Sequence, residues 1–368
     1  MSLSAGLDEY RIRYTILRPT SRFLSRVPLA ATAKLPVVLL TGFLGSGKTS
    51  LLNALLKAPA FTDTAVIVNE FGEIGLDHAL VQSSTDNVVL LAAGCLCCTI
   101  ADSLHETLAD LYFRRVRGEV PPFERVVIET TGLADPAPIL NTLLGNKLVT
   151  ENYRLDAVIV TADAAHLRQQ LARHREAAKQ IAVADRIVIT KVDVVAAQQV
   201  DEVERIVRQL NPGAQLFRSQ RASAALDAFR ADFSQAKTLS AYQSHDHDHD
   251  VNRHDEHVRA HCFVLDGPVS WSGVAAWTRL LVDTLGDRLL RCKGIVQIAE
   301  TGEVVFLQGV QRVFHTPERL PGWPDADLRS RLVCITRDAD DAEVRRTLPA
   351  LGLPAGSDPH ITLADLAA

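Results

Sequence analysis

The sequence predicts an α/β fold with a mostly parallel sheet, followed by a smaller α+β C-terminal domain. Three observations carry the prediction. Short apolar runs alternate with helical stretches from Pro36 to Thr190, a polar break falls between about 222 and 257, and a second set of strand and helix patterns follows it. The first set of strands reads Val37–Thr41, Thr64–Val68, Val88–Ala92, Arg125–Ile128, Asp156–Val160 and Arg186–Thr190. These runs are continuously apolar rather than alternating, as in strands buried on both faces of a parallel sheet, and such sheets bind ligands at their carboxyl ends. The second set comprises a strand at His261–Leu265, a helix at Trp271–Leu285, a strand pair at Arg291–Ala299 and Val304–Gly309, and a strand at Leu332–Thr336. The expected organisation is an N-terminal extension over 1–34, a first domain over 35–221, a linker over 222–257 and a second domain over 258–368.

Composition narrows the function classes. The 368 residues suffice for two or three domains at roughly 100–200 residues each. Lys plus Arg is 39 against 44 for Asp plus Glu, a net charge of -5, which argues against a nucleic-acid partner held by bulk positive field. Runs of about 18 apolar residues, the signature of a membrane span, do not occur, so no membrane partner is expected. Residues 1–34 are rich in Arg and Ser and lack the apolar core of a secretory signal. They read as a loose extension, with an organelle-type transit segment as the other reading. Three of the six cysteines crowd into 95–98, an arrangement unlike a disulfide framework, so a reducing cytoplasm is expected.

The motif Gly42-Phe-Leu-Gly45-Ser46-Gly47-Lys48-Thr49 follows an apolar strand and opens the helical stretch Ser50–Lys57. Glycines there let backbone N–H groups wrap phosphates, the helix N-terminus adds its dipole, Lys48 neutralises charge and Thr49 offers a hydroxyl to Mg²⁺. This makes the first domain a P-loop NTPase with nucleotide contacts from Gly42, Gly45, Ser46, Gly47, Lys48, Thr49 and Ser50. Strand-end Glu129, in Glu129-Thr-Thr-Gly132, is placed to hold Mg²⁺ or its water, and Gly132 permits close backbone approach to the γ-phosphate. Lys48 and Glu129 are the expected catalytic residues. Thr190-Lys191-Val-Asp193 follows the last apolar strand and resembles the guanine-reading N-K-x-D motif, with Thr in place of Asn. The Asp193 carboxylate would accept from the guanine N1–H and amine while the Lys191 stem packs on the base. If buried, it would reject adenine by being left unpaired.

Gly94-Cys95-Leu-Cys97-Cys98 follows another strand, so its thiols are expected at the same end of the sheet, where they can supply thiolates to one tetrahedral Zn²⁺ or similar ion. At this point the chain resembles the CobW-like metallochaperone GTPases, of the SIMIBI class of P-loop proteins that includes HypB and UreG types. The matching residues are Gly42–Thr49, Val68–Asp77, Gly94–Cys98, Glu129–Gly132 and Thr190–Asp193, with Leu290–Ile295 and Gln308–Gln311 in the second domain. The resemblance implies a GTP/GDP cycle with Mg²⁺. It implies that Asn69–Asp77 is a switch loop, with Asp77 toward Mg²⁺, and that Zn²⁺ or Co²⁺ is held at Cys95, Cys97, Cys98 and Glu70. It further implies delivery of that metal to a client metalloprotein or cofactor-synthesis enzyme when GTP is hydrolysed. A homodimer is compatible with the pattern. Relatives commonly carry an Arg soon after the cysteines; here the run is Cys98-Thr-Ile-Ala-Asp102, without a basic group.

Six of the twelve histidines lie between His245 and His261, and His245, His247 and His249 alternate with aspartates on the linker, an accessory site for Zn²⁺, Ni²⁺ or Co²⁺ or a merely solvated segment. Trp271, Trp277 and Trp323 read as core or partner-facing aromatics. The competing functions are a metal-buffering or sensing protein with structural nucleotide, cobalt insertion in cobalamin synthesis, and an ATP-dependent kinase or ligase. With no arginine finger readable, slow intrinsic turnover stimulated by a client or a second copy is expected.

Overall fold

The computed structural model describes residues 34–69, 89–93, 100–219, 226–230 and 257–352. Among them, seven strands form one sheet: β1 (Leu35–Gly42), β2 (Thr64–Asn69), β3 (Val89–Ala93), β4 (Arg125–Glu129), β5 (Tyr153–Asp163), β6 (Arg186–Thr190) and β7 (Gln215–Arg218), in the order β3-β2-β4-β1-β5-β6-β7. Every pairing in it is parallel. Helices α1 (Lys48–Leu56), α2 (Ile100–Val116), α3 (Ala137–Gly145), α4 (Lys147–Asn152), α5 (Leu167–Arg173), α6 (Arg175–Val183) and α7 (Ala197–Leu210) make the connections, and the short α8 (Asp227–Arg230) follows β7. Alternation along β1 shows why its sequence is uniformly apolar. Val37 and Leu39 pack into one core with α2, α3 and α6, while Val38 and Leu40 pack into another with α1 and Phe229 of α8. The chain runs from β1 outward to β3, returns to β4 beside β1, then crosses to β5 on the other side. That reversal places a ligand crevice at the carboxyl end of β1.

The second sheet is antiparallel: β8 (Val258–Leu265), β9 (Leu289–Gln297), β10 (Val304–Val310), β11 (Val313–Phe314) and β13 (Ser330–Arg337) in the order β11-β10-β9-β13-β8, with β12 (Glu318–Arg319) pairing β10. One face carries α9 (Trp271–Leu285), capped by the Ser270 hydroxyl accepting from Gly273 N and ended by Gly286 at φ 54°. Trp277 is fully buried there, its indole N–H donating to Thr347 Oγ1 at 3.1 Å, whereas Trp271 and Trp323 are half-buried. The short α10 (Asp341–Arg345) caps the same layer. From the other face Leu290, Ile295, Phe306 and Val333 enter the apolar core of the first domain, so the two sheets share one core.

An ionic cluster also crosses this junction. Asp185, at the amino end of β6, is fully buried; one of its carboxylate oxygens meets Lys293 Nζ at 2.5 Å and Arg291 Nη2 at 3.1 Å, and the other accepts from Val158 N at 2.7 Å. Burial pushes the Asp185 carboxyl up, but the Lys293 and Arg291 charges outweigh it and hold the group below its ordinary range. Lys293 is shifted down by burial, against the pull of Asp185. Nε and Nη1 of Arg291 find no acceptor among the described residues.

Candidate nucleotide and metal site

The loop between β1 and α1 has the backbone a phosphate cradle requires. Gly42 has φ 140°, and a Cβ there would lie 2.4 Å from Thr161 Oγ1; Gly45 and Gly47 sit at φ 69° and 93°. Side chains would therefore strain the turn at all three positions, and at Gly42 one would also collide with β5. Ser46 Oγ is 2.6 Å from Thr161 Oγ1, fastening the loop to β5. Ser50 lies in the first turn of α1. The buried Lys48 ammonium donates to Gly42 O at 2.8 Å and Phe43 O at 3.2 Å, two of its three donors. Burial pulls its pKa down while Glu129 opposes the shift.

Glu129 and Gly132 reach this loop from β4. Thr49 Oγ1 donates to Glu129 Oε1 at 3.1 Å, joining the hydroxyl and carboxylate expected to share Mg²⁺. Hard oxygen donors in this pairing suit that ion. A Cβ on Gly132 would stand 2.5 Å from Leu44 N, so only glycine lets the two loops meet. Gln180 of α6 donates to Gly132 O at 3.2 Å and Ala134 O at 3.1 Å, holding the second loop from behind.

The Thr190–Asp193 segment is fastened at two points. The Thr190 hydroxyl donates to Ser46 O at 2.8 Å, so Thr at this position ties the segment to the phosphate loop. Lys191, at φ 57°, places Nζ 2.7 Å from Asp163 Oδ2. Asp193 is exposed rather than buried, so burial of its carboxylate would have to come from the bound base. Beside this segment a cleft of about 350 Å³ is lined by Phe43, Gly45, Asp163, His166, Arg173 and Lys191 among others. Sequence reasoning passed over Asp163 by ending its strand at Val160. An acid at a strand tip, the signal that singled out Glu129, was present there as well.

Glu70, Asp77, Cys95, Cys97, Cys98, His245, His247 and His249 lie outside the described residues. Among the described residues no three His, Cys, Asp or Glu side chains gather as a metal would need. The described strands that flank these positions in sequence have a fixed register. Glu129 pairs with Leu40 on one side and Val68 on the other, and Asn69 pairs with Ala93. The ends of β2 and β3 thus stand at one level, and β2 lies next to the strand that ends in Glu129.

Fold and loop geometry define a P-loop nucleotide-binding α/β protein with an appended antiparallel domain. Residues 36–218 match the family model described as CobW/HypB/UreG, nucleotide-binding domain, and residues 258–351 match the cobalamin synthesis protein cobW C-terminal domain. Over 321 residues the chain is 32% identical to the zinc chaperone YjiA of Escherichia coli strain K12, covering 86% of this chain and 98% of that one. It is 28% identical over 359 residues to the zinc chaperone CobW of Pseudomonas aeruginosa, covering 88% and 92%. Among solved structures, the Zn(II)-bound YjiA GTPase of E. coli superposes with a TM-score of 0.66 at 27% identity, over 87% of this chain and 99% of that one. The chain belongs to the CobW/HypB/UreG family. No helix among the described residues is long and apolar enough to cross a membrane.

Proposed function

We propose that this protein is a GTP-hydrolysing zinc metallochaperone. It binds Zn²⁺ at Cys95, Cys97 and Cys98 with Glu70 and releases it, on GTP hydrolysis, to a client metalloprotein or cofactor-synthesis enzyme in the cytoplasm. The carrying observation is the register that lines up β1, β4, β2 and β3, with Leu40, Glu129 and Val68 side by side and Asn69 against Ala93. The strand that ends in Glu129 lies beside β2, which leads into the Glu70 segment, and β2 lies beside β3, which precedes the cysteine motif in sequence.

The loop amides from Gly45 to Thr49 and Ser50 wrap the phosphates, Lys191 packs on the guanine and Asp193 reads its N1–H and amine. Thr49, Glu129 and Asp77 would hold Mg²⁺, which when bound neutralises charge on the β- and γ-phosphates. In-line attack of water on the γ-phosphorus breaks its bond to the bridging oxygen. Lys48 offsets the charge that builds there, and the Gly132 backbone closes on the γ-phosphate. Thiolates suit Zn²⁺ and Co²⁺ alike; the zinc names of the relatives favour the first.

Single-turnover GTP hydrolysis by apo and zinc-loaded protein tests the reading. Zinc loading should change the rate, Lys48→Ala should abolish turnover at both metal states, and Cys97→Ser should erase the zinc effect while retaining apo turnover. Equal rates with and without zinc would favour a metal buffer carrying structural nucleotide, and equal use of ATP would favour a kinase or ligase.

A further inference from the structure

Asp163 ends β5 with a carboxylate that is only 1% exposed yet faces the rim of the site. Its Oδ1 accepts from Ala165 N at 2.8 Å, while Oδ2 takes both Lys191 Nζ at 2.7 Å and His166 Nδ1 at 2.9 Å. Lys191 is held at both ends. Its backbone occupies the left-handed region at φ 57°, between Thr190, bonded to the phosphate loop, and Asp193, exposed at the rim. Its ammonium is fixed by Asp163. A four-carbon stem fastened at backbone and tip has lost the rotamer freedom that an exposed lysine would give up on ligand binding.

We propose that Asp163 is a positioning residue for nucleotide recognition: by fixing the ammonium it sets the Lys191 stem as the wall on which the guanine ring packs, so it governs affinity for the base and not for the phosphate chain. This rests on the reading of Lys191 and Asp193 as the base-recognition pair. The buried carboxylate stays ionised because Lys191, His166 and the Ala165 amide together outweigh the upward push of burial. Asn at 163 keeps the volume and an oxygen for Ala165 N but loses the charge that draws the ammonium.

The test measures binding of GDP and of inorganic tripolyphosphate, which has no base, to the full chain and to Asp163→Asn, Lys191→Met and the double variant. Asp163→Asn should weaken GDP binding about tenfold, the scale of one charge-assisted contact, and leave tripolyphosphate within about twofold. KM for GTP should rise by a similar factor with a much smaller change in kcat. Because Asp163 acts through Lys191, adding Asp163→Asn to Lys191→Met should cost nothing further. An unchanged GDP affinity in Lys191→Met would overturn the base-recognition reading itself. A weakened Lys191→Met beside an unaffected Asp163→Asn would overturn only the positioning role, as would additive losses or an equal loss for tripolyphosphate. Should Asp163→Asn fail to fold, Asp163→Ser retains an oxygen for Ala165 N and is held to the same outcomes.

Discussion

Two aspartates at opposite ends of the β5–β6 strand pair, Asp163 and Asp185, are chemically alike and differently employed. Both are buried, both meet a lysine ammonium, and both accept a backbone N–H. At the carboxyl end the partners of Asp163 open to solvent, with Lys191 side-chain exposure of 38% and His166 of 57%. At the amino end Arg291 and Lys293 are at 2% and 6%, sealed between two domains. The difference teaches what each can do. A carboxylate whose partners reach water can be reorganised by a ligand, whereas a sealed one fixes the orientation of the C-terminal sheet on the nucleotide domain.

Removing each carboxylate should separate the two roles. Asp185→Ala leaves two cations buried without a counter-charge and should cost about 3–5 kcal/mol, seen as a lower denaturant midpoint, with exposure of the domain junction to proteolysis. Replacing the trio together, Asp185→Leu with Arg291→Met and Lys293→Met, should recover most of that loss; a triple variant as unstable as the single one would break the sealed-cluster account. Asp163→Asn should cost only about 1–2 kcal/mol, because its partners can turn to water.

Acid sharpens the comparison next. Both carboxyls sit below the ordinary value of 3.8, so the stability they confer is complete above that value and is lost as pH falls through their lower native values. Neither contributes to any change near neutrality. A separate loss should begin earlier, from His261 in the C-terminal domain, whose pKa burial lowers from 6.5. The native state holds this imidazole neutral while the unfolded chain takes up a proton, so stability falls as pH drops below 6.5, and His261→Gln should remove that part of the pH dependence of Tm. The smallest effect is expected at Arg218, whose exposed pairs with Asp201 and Glu204 are screened by water; Arg218→Ala should leave the denaturant midpoint where it is.

Much of the nucleotide end was legible in sequence because its requirements are local. Gly42 and Gly47 announce positive φ, Lys48 directly follows the second of them, and the strand Arg186–Thr190 and helix Trp271–Leu285 keep their predicted bounds. β5 runs further at both ends than its apolar stretch, which hid Asp163. β7 escaped notice because an edge strand of four residues, only the central Leu216 and Phe217 apolar and partly buried, has too short an apolar signature. The Asp185 cluster could not be read at all: its partners lie more than a hundred residues away, and only the docking of the second sheet brings Arg291 and Lys293 to the start of β6. Glu129, by contrast, was visible as an acid at a strand end, but its place between β1, which leads into the phosphate loop, and β2 emerged only from the order of the sheet.

The most direct test of the central claim is a competition titration of Zn²⁺ against a chromophoric chelator, with Mg²⁺ present and the protein saturated either with GDP or with a non-hydrolysable GTP analogue. Coupling between the phosphate loop and the thiol segment predicts zinc affinities that differ by about tenfold or more between the two states, and a Cys97→Ser chain that lacks the tight site in both. Equal zinc affinity in the GDP and GTP-analogue states would contradict the account.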